Sequence, residues 1–165
     1  MILCIDSQIL IWGIKKQCTE GQENMIQRAE YFFKWADEEK HHLLIPTVVI
    51  AEILSPEPRE KHSEIMSLIS ENFIIGNFDT LCAIRYANIL NSRFMDLKKF
   101  AYDNGIRREK MKTDFMIVST ALAYNANIIY SNDAHLTTYA KGLIAVNNIP
   151  QMPEIQMNIF DNEDV

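Results

Sequence analysis

The stretch "KTDFMIVSTALAYNANIIYSND", residues 112–133, decides how this chain reads. Eighteen residues without formal charge lie between Asp114 and Asp133. The run is too polar for a membrane span, because Ser119, Thr120, Asn125, Asn127, Ser131 and Asn132 interrupt it and Asn-Ala-Asn divides it. It reads instead as a buried helix over 114–124 capped by Thr113, followed by a strand in "NIIYS" that ends beside Asp133.

Outward from there the pattern repeats. "ILCI" (2–5) is a short apolar run ending at Asp6, and a short helix follows through Leu10, Ile11 and Ile14. Met25, Ile26, Ala29, Phe32, Phe33 and Ala36 recur at helical spacing. "HHLLIPTVVIAEIL" (41–54) is ambiguous: its β-branched residues lean towards strand, whereas Pro46-Thr47 reads as a break and an N-cap. Helices are predicted at 58–71, 80–91 and through Phe94, Leu97 and Phe100, the last stopping at Asn104-Gly105. "FIIGNF" (73–78) and "LIAV" (143–146) read as strands, with a short helix at 134–140. An acidic, weakly patterned tail occupies 151–165, leaving 1–150 as the folded unit.

Strands alternating with helices imply an α/β fold with a short parallel sheet and helices on both faces. The carboxyl ends of parallel strands share one edge, where such folds bind ligands. Asp6 and Asp133 follow two of those strands, and a helix returning from that edge would begin near Asp114. The uncharged run therefore delivers an acid twice to one rim. Taken singly, Asp6 and Asp133 can cap helices, Asp114 can favour a helix start, and Glu52 can face solvent. Together, clustered acids repel one another unless a cation sits among them, and oxygen-only ligands suit Mg²⁺ or Mn²⁺ rather than zinc.

The chain has 165 residues and net charge −6, which argues against a protein that coats nucleic acid non-specifically. Residues 93–112 hold seven bases and three acids, a local +4 that leaves −10 elsewhere. Such a stripe is either a solvated helix face or a hold on a phosphate backbone. Tyr102 adjoins it, able to stack on a base or to pack beside Phe100. Three scattered cysteines without metal or redox spacing, and no secretory leader, read as reduced thiols of a cytoplasmic protein.

The blocks "LCIDS", "IPTVVIAEIL", "KTDFMIVSTALAYNANIIYSND" and the following "HL" resemble the PIN domain family, and the VapC-type toxin ribonucleases in particular. The resemblance spans roughly residues 1–147 and departs at Gln8, where that family has Asn or Ser. It implies a PIN-like three-layer fold, and it turns 41–54 into a strand at 43–45 and a helix from Thr47. It also implies catalytic Asp6, Glu52, Asp114 and Asp133, of which Asp6, Asp114 and Asp133 hold Mg²⁺ or Mn²⁺. Ser7 and Ser131 would support them, with Lys98, Lys99, Arg107, Arg108 and Lys112 holding RNA. The activity implied is metal-dependent hydrolysis of RNA phosphodiesters, as the toxin of a toxin–antitoxin pair, with RNA, an antitoxin and a second copy as partners and no membrane. The rival of another class is a PIN-like module that binds RNA or protein without cleaving. A phosphatase of the haloacid dehalogenase type needs a second Asp two residues after the first, and that position is Gln8. No Gly-rich turn follows any strand, which removes a Rossmann nucleotide site.

Overall fold

The structure is a computed structural model that describes residues 1–151. Its five strands are β1 (Ile2–Ile5), β2 (His42–Pro46), β3 (Ile74–Gly76), β4 (Ile128–Tyr130) and β5 (Ala145–Asn147). All pair in parallel, in the order β3-β2-β1-β4-β5. Parallel pairing requires a crossover between neighbours, and the helices supply it: α1 (Ser7–Gly13), α2 (Glu23–Glu38), α3 (Thr47–Leu54), α4 (His62–Asn72), α5 (Thr80–Asp103), α6 (Arg108–Ala123) and α7 (Ala134–Ala140). In the central strand, Leu3, Cys4 and Ile5 are all fully buried, although successive side chains point to opposite faces. Both faces of the sheet are therefore covered, as three layers require.

The ambiguous segment resolves into β2 and then α3, as the family resemblance implied and against the lean of its β-branched residues. Thr47 does not cap that helix. Pro46 takes the cap position, and the Thr47 hydroxyl accepts the Phe78 amide at 3.2 Å, tying α3 to the chain leaving β3. The two helices expected between 80 and 104 are one 24-residue helix, α5. No Gly or Pro interrupts it, and Ser92 turns its hydroxyl back to the Asn88 carbonyl without breaking the run. Gly105, at φ +63°, makes the turn out of it. The next helix, α6, starts at Arg108, six residues before the expected 114. Thr113 lies inside it and donates to the Glu109 carbonyl at 3.2 Å, so it is no cap. The expected acidic tail, beyond Gln151, lies outside the described residues.

An aromatic chain fixes the helices beside the acidic rim. Phe115 of α6 packs on Tyr139 of α7 at 4.8 Å between ring centres, and Phe100 of α5 meets the same Tyr139 at 5.8 Å. Tyr86 of α5 stands edge-on to Phe115 at 6.2 Å. Gly76, the last residue of β3, lets α6 come close: a Cβ there would lie 2.8 Å from Thr120 Cγ2. Among the described residues no helix is long and apolar enough to cross a membrane.

Candidate active site

The register of the sheet sets the first acid beside the end of β4. Ile5 pairs with Tyr130, and the Asp6 amide donates to the Tyr130 carbonyl at 3.1 Å. Ser131 follows immediately, and its hydroxyl donates to Asp6 Oδ2 at 2.7 Å. The other oxygen, Oδ1, accepts the Ser7 amide at 2.6 Å and the Ser7 hydroxyl at 3.3 Å, so Asp6 caps α1. Burial raises the Asp6 pKa and the Asp133 charge adds to the rise, while the Ser131 and Ser7 hydrogen bonds oppose it.

Ser131 also accepts the Asp133 amide at 3.0 Å, so one hydroxyl spans two of the acids. Asp133 caps α7 by accepting the His135 amide on Oδ1 at 2.8 Å. Its Oδ2 pairs with Lys110 Nζ at 2.6 Å. Burial alone would raise this carboxyl, but the Lys110 ammonium and the His135 amide outweigh it and leave the pKa lowered. His135 Nδ1 stands 3.4 Å from Asp133 Oδ1 without making a hydrogen bond.

Asp114 is placed differently. It sits in the second turn of α6, not at its start, and is only 6% exposed. Its Oδ2 is buried with no hydrogen-bond partner. Burial, then the charges of Asp133 and Asp6, push its pKa up to about 8. The Tyr139 hydroxyl, likewise buried without a partner, is pushed up to about 12 by burial and by the charges of Asp114 and Asp133. Glu52 lies on the exposed side of α3. Partial desolvation and the Asp6 charge raise it, and the Ser7 hydroxyl and Lys110 hold the rise back. The four carboxyls brought forward from the sequence thus share one electrostatic neighbourhood at the carboxyl edge of the sheet.

The donor set is oxygen-only, which suits a hard divalent ion, and the unpartnered Asp114 oxygen is the kind of atom such an ion would satisfy. Among the described residues, however, no three His, Cys, Asp or Glu side chains are already set as a cation cage. Asp6 spends both oxygens on Ser7 and Ser131, and Asp133 spends its Oδ2 on Lys110, an ammonium standing where the acids call for positive charge.

Lys98, Lys99, Arg107, Arg108 and Lys112 are all exposed, on the end of α5 and the start of α6. Arg93, which belongs to the same stripe, turns inward and donates to the carbonyls of Tyr139 at 3.2 Å and Lys141 at 2.9 Å. Tyr102 does not pack beside Phe100; it is 86% exposed. The residue that the sequence reading passed over is Lys110. Its signal was present, since it precedes Asp114 by four and shares that face of a helix, but the helix was expected to start after it.

No family model and no curated protein matches the chain. Among solved structures it is similar to a chain in the crystal structure of VapBC2 from Rickettsia felis bound to a DNA fragment from their promoter. The match has a TM-score of 0.56 and 19% identity, and covers 90% of this chain and 98% of the other. Identity at that level speaks to fold alone. Joined to the five-stranded parallel sheet, the likeness gives this chain a VapC/PIN-like α/β fold.

Proposed function

We propose that the chain is a metal-dependent ribonuclease, the toxin of a VapC-type toxin–antitoxin pair. The observation that carries this reading is Asp114: a buried carboxyl in mid-helix, with an oxygen that nothing in the chain satisfies, facing the charges of Asp133 and Asp6. Folding gains nothing from that arrangement, whereas a Mg²⁺ or Mn²⁺ ion held by Asp6, Asp114 and Asp133 would use it. Bound there, the ion would make a water more acidic and neutralise charge on phosphoryl oxygens. Ser131 holds Asp6 Oδ2 in place, and Ser7 does the same for Oδ1. Glu52, at the solvent edge of the cluster with a raised pKa, is suited to receive a proton. The exposed bases Lys98, Lys99, Arg107, Arg108 and Lys112 supply the positive rim that an acidic cleft needs to keep a polyanion near it.

Support from the fold is coarser. VapBC2 is a pair bound to promoter DNA, and by analogy an antitoxin would be this chain's protein partner, with the cytoplasm as its place of action. The reading is tested by digesting total RNA with the purified protein and Mg²⁺ or Mn²⁺, then mapping the ends. Cleavage that Asp114→Asn and Asp6→Asn both abolish supports it; cleavage that survives both variants, or that needs no divalent ion, removes it. A binding module without turnover is the second reading, and the Lys110–Asp133 pair favours it, because a filled acid needs no ion. Folded protein whose melting temperature ignores Mn²⁺ would point there.

A further inference from the structure

The pair between Lys110 and Asp133 joins two parts of the rim that the sequence keeps apart, α6 and the start of α7. We propose that Lys110 is a built-in counter-cation that competes with the divalent ion for the Asp133 carboxylate, and so sets how tightly the acidic rim holds metal. This rests on the nuclease reading above and goes beyond it.

Three features of the pair carry the inference. First, Asp133 is fixed. Its side chain is 19% exposed and its Oδ1 is occupied by the His135 amide, so Oδ2 is the oxygen open to exchange, and Lys110 holds it at 2.6 Å. Second, Lys110 is not fixed. Its side chain is 49% exposed, and an ammonium on a flexible four-carbon stem can leave into solvent without stranding a buried charge. An arginine in that place would present a rigid, planar set of donors to Oδ2 and resist displacement. Third, Lys110 lies one helical turn before Asp114, on the same face of α6, so its charge serves the cluster as a whole. A divalent ion must therefore displace one positive charge before it gains the acids.

The test is calorimetric titration of Mn²⁺ alone into the wild-type protein and into Lys110→Met, Lys110→Gln and Lys110→Arg. Competition makes Met and Gln bind Mn²⁺ more tightly, by about three- to tenfold in Kd, since a half-exposed ion pair is what the ion no longer has to break. Arg should bind as the wild type does or more weakly. A merely structural lysine predicts the opposite sign, because a damaged rim holds metal less well. Equal affinity in the wild type and in both neutral variants overturns the competition and leaves the metal site standing. Mn²⁺ binding to none of the four folded proteins overturns the metal site and the competition together.

Discussion

Asp6 and Asp133 sit at strand-to-helix junctions, while Asp114 sits inside a helix, and the difference separates what folding explains from what it does not. Each junction acid caps the helix that follows and has both oxygens occupied, by amides, hydroxyls or an ammonium. A capping aspartate commonly contributes about 1 kcal/mol, so structure alone accounts for both. Asp114 caps nothing, and its Oδ2 has no partner. The case for chemistry at this rim therefore rests on the acid whose buried oxygen nothing satisfies, not on the number of acids.

The largest expected effect is at that residue. Asp114→Asn should lower metal-dependent RNA cleavage by at least about a hundredfold, the scale expected when a metal ligand is lost. The same change should make the protein more stable at neutral pH without metal, by about 1–3 kcal/mol, because a carboxyl pushed up to about 8 must take up a proton for the chain to fold at pH 7, and an amide need not. Chemical denaturation at pH 7 measures this. A variant that loses stability would mean that the carboxylate has a folding role after all, and the contrast with the junction acids would collapse.

The next effect has the opposite sign. Asp6→Ala removes the cap of α1 and strands the Ser131 hydroxyl, and should cost about 1–3 kcal/mol in the same denaturation experiment. Cleavage should also fall, so activity alone would not tell the two acids apart; the sign of the stability change does. A neutral or stabilising Asp6→Ala would place it with Asp114.

The contrast also explains what could be read from the sequence. The fold was legible because short apolar runs such as "ILCI" and "NIIYS" each end beside an aspartate, and a parallel sheet gathers such ends at one edge. The segment 47–54 was not legible from its residues, since a β-branched run buried on one side of a short helix looks like a strand. Its helix followed from the resemblance. The start of α6 was misread because Thr113 before Asp114 looks like a cap, and the true start, at Arg107 and Arg108, has no capping side chain to announce it. That error hid Lys110, which makes sense only as a residue one turn earlier on the same helix. Partner atoms such as the Ser131 hydroxyl, which spans Asp6 and Asp133, depend on strand register, which a single sequence does not carry.

The basic stripe divides in the same way as the acids, and two smaller effects sharpen it. Lys98, Lys99, Arg107 and Arg108 changed together to Ser should weaken RNA binding roughly tenfold at low salt, and should flatten the salt dependence of affinity. Stability should be nearly unchanged, since all four are exposed. An unaltered affinity and salt slope would reduce them to a solvated face.

Arg93 is the counter-case within that stripe. Its guanidinium is spent on the carbonyls of Tyr139 and Lys141, at the end of α7, where a cation also complements the helix dipole. Arg93→Ala should therefore cost about 0.5–1.5 kcal/mol of stability and leave RNA affinity and its salt slope as they were. The measurement is a denaturation curve beside a binding titration at two salt concentrations. A loss of affinity with no loss of stability would add Arg93 to the RNA-holding group, and the stripe would then act as one surface. The expected pattern instead makes charge in the sequence an incomplete guide here: seven bases lie within twenty residues, yet one secures a helix end and another, Lys110, is paired with an acid of the rim.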